Sequence, residues 1–131
     1  MYTVKLNELL VLYQAIKETI IMKITDNFDS GNIRVIEASD PGNIQLEIKQ
    51  DNQSDFFQWF HYKLQTQLAV NGGRLEHVMH LNNASHAAYI EGWEDYQAVA
   101  SYDREHWFRV PTQYDGKKLT ITLTPEYDSV Y

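Results

Sequence analysis

Cysteine is absent from this 131-residue chain, and proline occurs only three times. Without cysteine there is no disulfide framework, no thiolate nucleophile and no thiolate metal ligand. That fits a reducing compartment, although secreted proteins without disulfides share the trait. Long hydrophobic runs are also missing. The apolar run 9–13 is far shorter than the roughly 20 residues a membrane-spanning helix needs. No small-residue cleavage site follows it, which argues against a signal peptide. Basic runs are missing too: Lys117-Lys118 is the densest pair, and the net charge is −7. This balance excludes a typical nucleic-acid binder and disfavours an anionic membrane surface. These absences together are read as a cytoplasmic chain. The G-x-S-x-G, H-E-x-x-H and phosphate-cradling glycine signatures are absent as well.

What is present is apolar and aromatic: 44% of residues are hydrophobic and 13% are Phe, Trp or Tyr. A single domain of this length buries roughly two thirds of the surface its unfolded chain exposes, so a core forms without staples. The densest stretch, 52–64, places Phe56, Phe57, Trp59, Phe60 and Tyr62 within seven positions. Aromatics favour pleated surfaces, so this stretch is expected to be a strand in the middle of a sheet. Alternation puts Phe56, Phe60, Tyr62 and Leu64 on one face, with Phe57, Trp59, His61 and Lys63 on the other.

Along the chain, Leu6, Leu9, Leu10, Tyr13, Ile16 and Ile20 recur at helical spacing, which predicts an amphipathic helix over 1–22. Met22 is an alternative start for the domain, leaving residues 1–22 as a helical extension and 23–131 as the domain proper. Beyond it, turn signals arrive at intervals typical of an all-β chain: Asp29-Ser30-Gly31-Asn32, Asp40-Pro41-Gly42-Asn43, Asn71-Gly72-Gly73 and Asp115-Gly116. Between them lie alternating runs at 33–38, 44–50, 75–81, 96–102, 107–110 and 119–124. About seven or eight strands and no βαβ spacing predict a mainly antiparallel β-sandwich of two sheets. The ending Asp128-Ser129-Val130-Tyr131 reads as the start of a further strand, as in a fragment or an interrupted reading frame.

Chemistry is sparse. His77 and His80 have the spacing of a helical metal pair, but on a strand an odd spacing places them on opposite faces. Glu91, Glu94, Asp95, Asp103 and Glu105 are acidic loop residues, and Ser30 suits a turn beside glycine better than a nucleophile's setting. No catalytic or metal-ligating set emerges. The stretch 93–112 combines Trp93, Trp107 and several tyrosines with Arg104 and Arg109. It reads either as a recognition surface or as a core closed by structural arginines.

Three segments carry a family resemblance. F-D-S-G-N (28–32), D-N-Q-S-D-F-F-Q-W-F-H-Y-K (51–63) and Y-D-R-E-H-W-F-R-V-P-T (102–112) resemble the N-terminal domain of the cytosolic carboxypeptidases, which are zinc enzymes. The closing L-T-I-T-L-T-P-E-Y-D-S-V-Y is similar to the strand region that leads into their catalytic domain. The resemblance implies a β-sandwich that precedes the catalytic domain and packs on it in cis. Zinc, its H-x-x-E pair and the general base belong to that other domain, so no cofactor is expected in this chain. Ser30, Gly31, Asn32, Gln58, Trp59, Phe60, Arg104, Trp107 and Arg109 are the motif or interface residues it singles out. A free-standing binding module for peptide or carbohydrate, with Trp93 or Trp107 as an exposed platform, is the rival expectation. Oligomeric state has no signature in the sequence.

Overall fold

A computed structural model describes residues 8, 22–50, 59–67 and 74–131. The expected helix over 1–22, the aromatics Phe56 and Phe57, Gln58 and the turn at 71–73 lie outside the described residues. Ten short strands form three sheets: β1 (Met22–Thr25), β2 (Arg34–Glu37), β3 (Ile44–Glu47), β4 (Lys63–Thr66), β5 (His77–Leu81), β6 (Val99–Ala100), β7 (Phe108–Arg109), β8 (Thr112–Tyr114), β9 (Leu119–Leu123) and β10 (Ser129–Val130). The chain is mainly β. Among the described residues that connect these strands, two 3-10 turns occur, Ala84–His86 and Ile90–Trp93.

The largest sheet has the order β2-β3-β5-β9-β8. Its middle strands follow the expected alternation: Ile44, Leu46, Ile48, His77, Met79, Leu81, Leu119 and Ile121 are buried. A second sheet, β1-β4-β10, adds Ile24, Leu64 and Val130 to the same core, and the two-stranded β6-β7 sheet region adds Ala98, Ala100 and Val110. Each fully buried Leu or Ile contributes roughly 1.5–3 kcal/mol. One apolar core shared by three sheets therefore holds the fold together.

Two expectations need correction, the number of sheets and the extent of the aromatic strand, and the mainly antiparallel pairing has one exception. The sheets number three, not two. Their pairing is mostly antiparallel, but β3 and β5 are parallel, with Ile44 opposite Met79. Parallel neighbours need a long crossover, and the chain between them travels out through β4 in another sheet. The aromatic stretch is not a strand throughout: Trp59 and Phe60 lie outside any strand, and β4 begins at Lys63. The reason is local. The Trp59 carbonyl accepts from the Asn32 side chain at 3.0 Å, and His61 makes an isolated bridge to the Asn32 backbone. These backbone groups are satisfied by a loop and not by a neighbouring strand. The expected central position holds for the end of the stretch, because β4 is the middle strand of its sheet.

Candidate functional site

The segment 28–32 is a compact loop whose residue types follow from its geometry. A Cβ on Gly31 would lie 1.9 Å from the Asp26 carbonyl oxygen, so only glycine fits this close approach. Ser30 sits at φ 68°. Asn32 is buried, and its amide is fully used. Nδ2 donates to the carbonyls of Lys49 and Trp59 at 3.1 and 3.0 Å, and Oδ1 accepts from the Lys49 N–H at 3.1 Å. Its backbone exchanges two further bonds with His61, at 2.8 and 3.1 Å. One asparagine thus joins the loop, the end of β3 and the approach to β4.

A second loop, 101–106, faces it. Ser101 is fully buried, and its Oγ accepts from the Arg104 N–H at 2.7 Å. Asp103 Oδ1 accepts from the N–H groups of Glu105 and His106, both at 2.8 Å. The His106 N–H and ring, then the Glu105 N–H, hold the Asp103 carboxyl well below the usual carboxylate range. This turn places Arg104 at φ 64° and lays its guanidinium over two rings, 5.2 Å from the Phe28 centroid and 4.8 Å from that of Tyr131.

Tyr131 closes the cluster. Its backbone exchanges bonds of 2.8 and 2.9 Å with Ser101, and its ring stands edge-on to Phe28 at 5.4 Å. His61 lies between them, 4.9 Å from Phe28 and 5.9 Å from Trp107. Ser30 Oγ donates to the Asp29 carbonyl and lies 3.1 Å from His61 Nδ1. The other ring nitrogen, Nε2, is buried and has no hydrogen-bond partner among the described residues. Burial, and then the charge of Arg104, push the His61 pKa down.

Above this layer lies an open cleft of about 380 Å³ lined by Ser30, Trp59, Phe60, His61, Val99 and Trp107, with Tyr96 at its edge. Val99, Trp107 and Trp59 are 52, 45 and 41% exposed. Phe60 ties the cleft to the core through Tyr62, Trp93 and Tyr96, each at 6.3 Å. Trp93 itself is 3% exposed, and its Nε1–H donates to the Ala84 carbonyl at 2.9 Å, so it offers no platform.

Ser30, Gly31, Asn32, Trp59, Phe60, Arg104 and Trp107 are thus brought together from segments far apart in the sequence. Arg109 is not: it lies exposed on β7 opposite Val99, with no ion-pair or ring contact to the cluster among the described residues. Gln58 lies outside the described residues. Sequence reasoning missed Phe28, His61 and Tyr131 as members. Phe28 and His61 sit inside the stretches that carried the resemblance, while Tyr131 had no signal beyond its place in a short apolar ending.

Metal-ligand chemistry is poorly served. His77 and His80 face opposite sides of β5, bonded to Thr66 and Thr120 respectively. Asp103, Glu105 and His106 offer three ligand atoms within 4.8 Å, but all are exposed. The Asp103 oxygens already accept bonds from their own loop. A catalytic zinc site needs ligands held by outer partners around an open position, and these residues do not fit one. No described helix is long and apolar enough to cross a membrane.

Comparison with known proteins agrees with this geometry. A family model described as the cytosolic carboxypeptidase N-terminal domain matches residues 24–131. An uncharacterized protein of Zymomonas mobilis is 46% identical over 110 residues, which is 84% of this chain and 27% of that protein. The crystal structure of a metallo-carboxypeptidase from Burkholderia cenocepacia is similar with a TM-score of 0.76 and 49% identity, over 84% of this chain and 28% of that one. A metallo-carboxypeptidase from Pseudomonas aeruginosa, solved in complex with (2-guanidinoethylmercapto)succinic acid, is 51% identical with a TM-score of 0.76, over 82% of this chain and 28% of its own. This chain spans less than a third of the length of each of these relatives and corresponds to the N-terminal part of the carboxypeptidases. It belongs to the cytosolic carboxypeptidase N-terminal domain family.

Proposed function

We propose that residues 23–131 form a non-catalytic β-sandwich domain of a cytoplasmic zinc metallo-carboxypeptidase, packing on the catalytic domain in cis and supporting its fold. One observation carries the reading beyond family membership. Trp59, Val99 and Trp107 leave a concave apolar surface open at the end of the molecule where Tyr131 lies. Large exposed apolar surface of this kind marks an interaction site. In this reading zinc binding and peptide hydrolysis belong to the catalytic part.

The test is a graft. This chain replaces the N-terminal part of the Pseudomonas aeruginosa metallo-carboxypeptidase, and release of a peptide's C-terminal residue is measured. The graft is expected to be soluble and active, while the same enzyme with its N-terminal part deleted loses at least tenfold in activity or aggregates. A deleted enzyme as active and as stable as the graft would contradict a supporting role.

A second reading has one observation in its favour. Trp107 is exposed beside polar residues, as a peptide- or carbohydrate-binding module would require, although the buried Trp93 withdraws half of the expected platform. Isothermal titration of the isolated chain with oligosaccharides and short peptides distinguishes it.

A further inference from the structure

The geometry points to one face as the seat of the catalytic part, the cleft of Trp59, Val99 and Trp107 together with the Arg104 guanidinium stacked on the neighbouring Phe28 and Tyr131 rings. This inference rests on the supporting-domain reading above and adds where the partner sits and what chemistry it presents.

Four exposed apolar groupings compete for the role. Val35 and Ile36 lie on the edge strand β2, Tyr89 and Ile90 lie at the start of a 3-10 turn, Tyr127 stands edge-on to Tyr102, and the fourth is the cleft. Three observations select the cleft. The first is where the chain leads. In the carboxypeptidase relatives the matched part is N-terminal, so the catalytic part follows the position of Tyr131. Tyr131 is anchored by Ser101 within the ring cluster beneath the cleft. A partner tethered there reaches this face first.

The second is charge. Arg104 is held in a left-handed turn over Phe28 and Tyr131, and Lys63 lies 5.5 Å from the same Tyr131 ring. Neither makes an ion pair with a described residue, whereas Arg34, Lys49 and Arg74 each do. A chain of net charge −7 thus presents two cations over the Tyr131 ring, next to the open apolar cleft. The fitting partner surface carries apolar side chains flanked by a carboxylate, the group a stacked guanidinium engages best. The third is the buried ring nitrogen His61 Nε2, which has no hydrogen-bond partner among the described residues. It shows that this end of the molecule is less completely satisfied than the core.

The graft described above tests the placement. Trp107→Ser and Arg104→Gln are introduced into the grafted enzyme and into the isolated chain, with Ile36→Ser as the control at the competing edge. Each of the first two is expected to lower the unfolding midpoint of the grafted enzyme by roughly 4 °C or more. The isolated chain should move by about 1 °C or less, because these side chains are exposed in it. Arg104→Lys should recover only part of the loss, since an ammonium lacks the planar stacking fork. Equal shifts in both proteins would overturn the inference, because the residues would then be structural. A shift in the grafted enzyme from Ile36→Ser alone would also overturn it, by moving the partner to the β2 edge. A graft that neither folds nor cleaves with the unchanged chain would overturn the supporting-domain reading, and this face with it.

Discussion

Two histidines stand at opposite extremes of the same molecule. His77 is 1% exposed on β5, and both of its ring nitrogens are used: Nδ1 lies 2.8 Å from the Leu75 carbonyl and Nε2 lies 3.1 Å from Thr66 Oγ1. It links the five-stranded sheet to the three-stranded one. His61 is half-buried among rings, and its Nε2 has no partner among the described residues. Burial is the first cause of a lowered pKa for both. The difference lies in completeness. Around His77 the packing is closed on every side. Around His61 the rings are packed from below and open from above, as at a surface prepared for something else to cover.

The largest expected effect sharpens this contrast from the closed side. Leu46 is fully buried, and Leu46→Ala should cost about 3 kcal/mol in urea unfolding of the isolated chain. A smaller loss, near that of a surface substitution, would mean the core is less closed than described.

Next, Gly31→Ala probes whether the aromatic end is loosely built or only uncovered. The added Cβ would meet the Asp26 backbone, so a loss on the order of 3 kcal/mol is expected despite the exposed surroundings. A neutral outcome would show a loop free to rearrange, and would break the comparison by making that end soft.

The histidines themselves come third. His77→Phe strands the Thr66 hydroxyl and the Leu75 carbonyl, and should cost about 2 kcal/mol. His61→Phe keeps the ring contacts and removes the unpartnered ring nitrogen, so it should stay within about 0.5 kcal/mol of the parent. Equal costs would erase the distinction drawn between the two sites.

Their pH dependence follows the same logic. Each folded-state pKa lies below the ordinary histidine value of 6.5. The unfolded chain therefore takes up protons first as pH falls. The stability held by these neutral rings is fully present above pH 6.5 and is lost as pH drops through the folded values. Urea midpoints at pH 7.5 and 5.5 should differ in that direction, and the double variant H61F/H77F should narrow the difference.

Much of this architecture was legible in the sequence. The alternation of Ile44, Leu46 and Ile48, of His77, Met79 and Leu81, and of Leu119 and Ile121 named the core faces. The period of two is set by the backbone, so it survives any topology. The strand expected over 52–64 failed at Trp59 and Phe60 because aromatic content signals a half-buried surface, and a loop pinned by Asn32 offers one equally well. The parallel β3–β5 pair had no local sign, since strand order is decided by long-range pairing. Motif residues 30–32, 59–60, 104 and 107 did converge on one site. Arg109 and Arg104 looked alike in sequence, and what separates them is the turn that Ser101 and Asp103 build around Arg104 alone.

The smallest expected effect is also informative. Trp107→Ser in the isolated chain should change stability by no more than about 0.5 kcal/mol, since nearly half of the side chain is already in water. A larger cost would mean the ring is already integral to this fold, which would weaken the case for a partner.

The proposal that the catalytic part covers the aromatic end is tested most plainly by hydroxyl-radical footprinting of the isolated chain and of the same chain in place of the N-terminal part of the Pseudomonas aeruginosa enzyme. Strong protection of Trp59, Tyr96 and Trp107 is expected in the graft, with Val35 and Ile36 on β2 labelled equally in both. Unchanged labelling of the tryptophans, or protection confined to β2, would contradict it.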